Sequence, residues 1–232
     1  MVDRRRRWPG CFAAVTAALL IAAPPATADP VPVGADDGPA ELAMLGTLPI
    51  KGRAPKTSYS RALFGEAWGD DVTVPGGHNG CDTRNDILRR DLVDIEIKPS
   101  TTDCVVSSGV LNDPYTGTAI AFQRGRGTSQ AVQIDHVVAL SDAWQKGAQQ
   151  WDELTRRNFA NDPLNLLATS GPINEQKGDG DAATWLPPNK SYRCGYVSRI
   201  VAVKSGYGLW VTQAEHDAIE RILTGECGAP AG

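Results

Sequence analysis

An α+β domain is the fold class this sequence predicts, and three observations carry the prediction. Two apolar runs, residues 104–111 and 118–123, flank the turn chemistry of Asn112-Asp113-Pro114-Tyr115-Thr116-Gly117 and read as a β-hairpin. Helical periodicity brackets that hairpin on both sides. Four cysteines, Cys81, Cys104, Cys194 and Cys227, form an even set able to staple a single domain over residues 57–227.

The N-terminus precedes that domain and reads as an export signal. Arg4-Arg5-Arg6-Arg7 is a basic start, residues 11–23 are a short apolar run, and Ala26-Thr27-Ala28 offers a small-residue cleavage site before Asp29. The run is too short for a resident membrane helix, and Trp8-Pro9-Gly10 ahead of Cys11 argues against a lipid anchor. The expectation is signal peptide 1–28, secretion, and no stable membrane association. Residues 29–56, rich in Pro, Ala, Gly and Asp, read as a flexible leader with a short helical piece near 41–45.

Within the domain, residues 58–68 carry Tyr59, Leu63, Phe64 and Ala67 at helical spacing, and residues 82–92 form a second amphipathic helix begun by Asp82. Strands are expected at 95–98, in the hairpin arms and at 132–138, together making one small sheet. Short helices follow at 141–149 and 152–159, then a short strand at 166–168. Gly171-Pro172 opens a helix through Lys177, and two helices close the chain at 190–204 and 212–223.

Charge and cysteines narrow the function classes. Loss of four arginines and Asp3 with the signal leaves 19 basic and 26 acidic side chains, a net charge of −7. Such a chain does not steer polyanions to its whole surface, so a nucleic-acid site needs a local basic cleft or a bound cation. The four cysteines allow three pairings, of which Cys81–Cys104 and Cys194–Cys227 close the most local loops. No CxxC pair exists and His78, His136 and His216 are scattered, so a structural zinc is not expected. A Cys–His hydrolase is disfavoured because all four mature cysteines can pair with one another, and no carboxylate spacing suggests a glycosidase.

The chemistry concentrates between Asp135 and Lys177. Alone, His136 on an apolar strand reads as a buried core histidine. Beside Asp135, with Asn165, Asn174 and Lys177 to follow, it makes a hard-metal site with a general base. Neighbours on a strand point to opposite faces, so Asp135 and His136 share a site only where the strand ends. Asp135 and Asn174 would ligate one divalent ion, His136 would take the proton of water, and Asn165 would brace the loop. Lys177, one turn past Asn174, would meet a phosphate. Arg84, Arg124 and Arg193, with Arg126 and Arg199, are candidate phosphate contacts. Trp144, Trp151, Trp185, Tyr192 and Tyr196 read as core or cleft wall.

The order Asp135-His136, Asn165, then Asn174-x-x-Lys177 resembles the HNH (His-Me finger, ββα-metal) endonucleases. The wider text resembles exported bacterial HNH proteins and the C-terminal part of GmrSD-type restriction endonucleases. It includes Gly80-Cys81-Asp82-Thr83-Arg84-Asn85-Asp86, Ile134-Asp135-His136-Val137-Val138-Ala139-Leu140, Asn161-Asp162-Pro163-Leu164-Asn165-Leu166 and Asp181-Ala182-Ala183-Thr184-Trp185-Leu186-Pro187. The resemblance implies a ββα-metal core with surrounding helices and an extra hairpin. It implies a monomeric, low-specificity nuclease for DNA, with RNA as a second substrate class. Disulfides stand where many members carry zinc-binding CxxC pairs. Asn174 in place of a last histidine favours Mg²⁺ or Mn²⁺ over Zn²⁺. The rival is a secreted, non-catalytic binding domain on the same scaffold.

Overall fold

A computed structural model describes residues 38–227. The expected signal peptide and the leader as far as residue 37 lie outside those residues. From Gly38 on, the stretch expected to be flexible is packed. Helix α1 (Gly38–Leu45) buries Leu45 completely against α6 (Arg193–Gly206) and α7 (Gln213–Gly225). Beyond it, Ile50 bridges Val211, and Lys51 N–H donates to the Val211 carbonyl at 3.0 Å. The Pro- and Gly-rich composition records an irregular path, not a free one.

Asp82 caps helix α2 (Thr83–Asp91) by accepting from Asn85 N–H, and the chain passes directly into β1 (Leu92–Ile97). Strands β2 (Val106–Asp113) and β3 (Thr118–Gln123) form the expected hairpin, with Gly117 at φ +73° and the Asp113 carboxylate accepting from the turn amides of Tyr115 and Thr116. Strand β1 adds antiparallel to β2 with a register break between Val93 and Glu96, where Asp94 has φ +50°. Such an irregularity blunts an exposed edge.

There are two sheets where one was expected. Strands β4 (Val132–His136) and β5 (Leu166–Ser170) pair only with each other, from Val132↔Ser170 to His136↔Leu166. A 3-10 turn at Ser129–Ala131 redirects the chain after β3. The two sheets meet through side chains: Leu88, Leu111, Phe122, Ile134, Leu166 and Ala168 form one core. Helix α5 (Gly171–Lys177) follows β5 at once. Gly171 is required there, because a Cβ would lie 2.0 Å from the Gln130 carbonyl oxygen.

A second core joins α1, α6 and α7 with α3 (Leu140–Gln145) and α4 (Glu153–Asn161). Helix α3 starts one residue before the expected 141, and Gly147 (φ +135°) stops the helix short of 149. The expected helix at 58–68 is a single 3-10 turn, Arg61–Phe64, capped by Ser60 and closed by Gly65 at φ +84°. Its apolar spacing is real burial without a helix: Tyr59 and Phe64 pack edge-on and tilted against Trp144. The helix expected at 190–204 begins as a separate 3-10 turn, Lys190–Tyr192.

Both favoured disulfides are formed, Cys81–Cys104 and Cys194–Cys227. The first ties the start of α2 to the approach of β2, and the second ties α6 to the end of α7. Each contributes about 3–4 kcal/mol through loop closure. Inside the helical layer, buried Lys146 and Lys204 meet Asp142 and Glu215, and Lys146 also meets Asp181. Arg53 reaches the same cluster at Asp142 and Asp181, so three cations face three carboxylates.

Candidate functional site

The site is built where β4 ends. Val137 N–H still donates to the Asn165 carbonyl at 2.8 Å, and then the chain leaves the sheet. The fully buried Asn165 side chain replaces the missing strand partner. Its Oδ1 accepts from Val138 N–H at 2.8 Å, and its Nδ2 reaches the Val138 and Phe159 carbonyls. This brace is where the sheet stops, so Asp135 and His136, on opposite faces of β4, both border one cavity.

Asp135 is buried and held from two sides. Tyr115 donates its hydroxyl to Oδ2 at 2.6 Å, and Lys177 donates its ammonium to Oδ1 at 2.9 Å. Lys177 also donates to the His136 carbonyl at 2.9 Å. Its side chain is therefore turned inward onto the end of β4, away from the phosphate contact expected of it, because a buried lysine needs a carboxylate partner. The bond from Tyr115 crosses from the hairpin turn to the second sheet, a separation that sequence spacing does not signal. Burial and the adjacent Asp135 carboxylate push the Tyr115 hydroxyl well above its ordinary pKa, so it stays a donor.

His136 lies between the Ala160 carbonyl and the indole of Trp68. Its Nε2 is 2.8 Å from the Ala160 oxygen, and its ring stacks on Trp68 at 16° with centroids 5.9 Å apart. A carbonyl can only accept, so Nε2 carries the proton and Nδ1 keeps the lone pair. Burial, with the nearby charge of Arg61, lowers the His136 pKa from 6.5 to about 4. The imidazole is therefore neutral and able to accept a proton near neutral pH.

The cavity bordered by Asp135 and His136 has a volume of about 380 Å³, and Asn174, Arg84, Arg61 and Asp179 also line it. Asn174, in the first turns of α5, donates its Nδ2 to the Gln133 carboxamide at 2.8 Å, which leaves its oxygen as the uncommitted atom. Asp135 and Asn174 are thus two lining residues with hard oxygens, the donor type that suits a cation completing its shell with water and phosphate. Arg84 donates to the Val132 carbonyl at 3.1 Å while lining the cavity. Arg124 and Arg193 are not brought there. Arg124 is engaged with the Val106 carbonyl and Asn85 in the β2 layer, and Arg193 with the Pro187 carbonyl and Glu226. Arg61 and Trp68 line the cavity without having been expected to. Their only sequence signal was an apolar spacing that suggested a helix.

A further cluster, His216, Asp217 and Glu220, brings potential ligand atoms within 4.8 Å of one another on α7.

These observations define the class: a disulfide-stapled α+β domain with a β–β–α unit that holds a neutral histidine beside oxygen donors. Residues 82–222 match the GmrSD restriction endonucleases, C-terminal domain, and the chain belongs to that family. An "Uncharacterized secreted protein" of Arthroderma benhamiae is 36% identical over 214 residues, covering 91% of this chain and 97% of that protein. The secreted relative and the two disulfides fit an extracellular location. No solved structure matches the chain significantly. No helix among the described residues is long and apolar enough to cross a membrane.

Proposed function

We propose that this chain is a secreted, metal-dependent endonuclease of the HNH type that hydrolyses phosphodiester bonds of DNA, and of RNA, with little sequence preference. The observation that carries the reading is the commitment of His136 Nε2 to a backbone carbonyl, which leaves Nδ1 as a base at the end of β4. Membership in a restriction-endonuclease family supports the substrate class.

In this reading His136 Nδ1 takes a proton from water as the water oxygen attacks phosphorus, a role worth roughly 10²–10⁴-fold in rate. The imidazolium returns its proton to solvent, and the leaving oxyanion, on the face opposite the attacking water, takes a proton from water. Asp135 and Asn174 would hold one Mg²⁺ or Mn²⁺, which supplies charge neutralisation at the phosphate and leaving oxygen. Tyr115 and Lys177 are positioning residues that fix the Asp135 carboxylate. Asn165 fixes the peptide that follows His136. Arg61 and Arg84 give the acidic protein its local positive wall.

The non-catalytic reading has one observation in its favour: both Asp135 oxygens already have protein donors. Each oxygen retains a second lone-pair direction, so the donors do not bar a cation. The test is incubation of the purified protein with plasmid and with RNA, with and without EDTA. Cleavage that EDTA stops is the expected result. Binding of nucleic acid without cleavage in Mg²⁺ or Mn²⁺ would establish the rival reading.

A further inference from the structure

A second cavity, of about 240 Å³, adjoins the first along His136 and is mainly apolar. Phe64, Trp68, Leu140 and Ala160 supply its walls, and it shares His136, Arg61 and Trp68 with the polar cavity. We propose that this cavity receives one unstacked nucleobase of the strand being cut, with Trp68 as the stacking wall and Arg61 meeting the phosphate at the shared rim. The inference rests on the nuclease reading and names the form of its substrate: a single strand, or a locally opened one.

Four observations carry it. The first is continuity, because a strand whose phosphate faces His136 in the polar cavity has its base within reach of the apolar one. The second is size. An apolar cavity of about 150 Å³ takes a benzene ring, so this one accommodates a single heterocycle and not a base pair.

The third is an orphan polar atom. Asn161 lines the cavity and is 1% exposed, yet its carboxamide oxygen has no hydrogen-bond partner among the described residues, although its Nδ2 donates to the Arg157 carbonyl. A filled hydrocarbon pocket would leave that acceptor unpaired at a cost of about 1–3 kcal/mol. The oxygen is closed off from the empty cavity, so a turn of the carboxamide is needed before the amino or imino edge of a base would satisfy it. The fourth is Trp68, half-buried in the left-handed region at φ +63°. A bulky residue rarely adopts that conformation, and it gathers at ligand sites. An ordinary packing void accounts for the apolar walls. It does not account for the exposed arginine at the mouth and the unpaired acceptor together.

The test measures binding to the full-length protein in EDTA, where cleavage is arrested. Fluorescence anisotropy is read for three labelled probes of equal length: single-stranded oligothymidine, the same deoxyribose-phosphate chain without bases, and a duplex. Base–aromatic stacking contributes about 1–3 kcal/mol per base, so the oligothymidine should bind roughly 5- to 150-fold tighter than the abasic chain. It should also bind tighter than the duplex. Trp68→Leu should remove that advantage and leave abasic binding in place. Ala62→Phe, which fills the cavity from an exposed wall position, should do the same if Trp68→Leu does not fold. Equal binding of the base-bearing and abasic strands by the parent, or a base advantage that survives both substitutions, overturns the proposal. A parent that cuts plasmid but shows no base advantage loses only this subsite. A parent that neither cuts nor binds loses the nuclease reading with it.

Discussion

At His136 one backbone carbonyl settles which nitrogen is free, and burial settles the charge. The Ala160 oxygen takes the Nε2 proton, and the apolar walls with Arg61 nearby bring the pKa to about 4. The folded state therefore refuses a proton that the unfolded chain accepts below its ordinary value near 6.5. The contribution is complete above that value and is lost as pH falls toward about 4. Urea unfolding of metal-free protein should lose about 2 kcal/mol between pH 7 and 5 from this residue alone. His136→Gln should flatten that part of the profile; an identical slope in the variant would contradict the assignment. Asp135, His136, Asn165 and Asn174 were readable as a candidate group, because they lie within one short stretch of chain. Tyr115, Trp68 and Arg61 were not, since each reaches the site from a distant loop and carries no motif.

The ends of the elements decide whether those residues meet. Strand β4 stops at His136 because the buried Asn165 side chain takes over the pairing of Val138. Asn165→Ala leaves the Val138 amide and carbonyl without partners, and each buried orphan costs about 1–3 kcal/mol. The expected loss is about 3 kcal/mol in urea unfolding, and a loss below about 0.5 kcal/mol would show that the loop holds without the brace. Strong local signals marked the elements themselves: Asp82 and Asp152 at helix starts, the turn after Asp113, and Gly171-Pro172 before α5. The helix expected at 58–68 failed because apolar spacing reports burial, and the left-handed Gly65 and Trp68 set a different backbone path. The single sheet failed because pattern fixes which residues are strand but not which strands pair.

Across the whole molecule, the helical layer closes on ions as well as on apolar contacts. Burial raises the Asp181 pKa, but Lys146 and Arg53 outweigh it and bring it down to about 2. The cluster joins residue 53, α3, α6 and α7, so the segment read as a leader is part of the fold. Lys146→Met leaves three buried carboxylates facing only Arg53 and Lys204 and should cost about 3–5 kcal/mol; a variant as stable as the parent in urea would show Lys146 to be dispensable. None of this network was legible, because buried lysines look like surface lysines in a sequence. The disulfides were legible, since local loops left little choice. The stapled scaffold holds a neutral base at the edge of a polar cavity, and the most direct measurement is the initial rate of plasmid cleavage in Mg²⁺ by the parent and by His136→Ala, with circular dichroism to confirm the fold. A loss of roughly 10²–10⁴-fold is expected in a folded variant. A folded His136→Ala protein that cuts within a few-fold of the parent would contradict it.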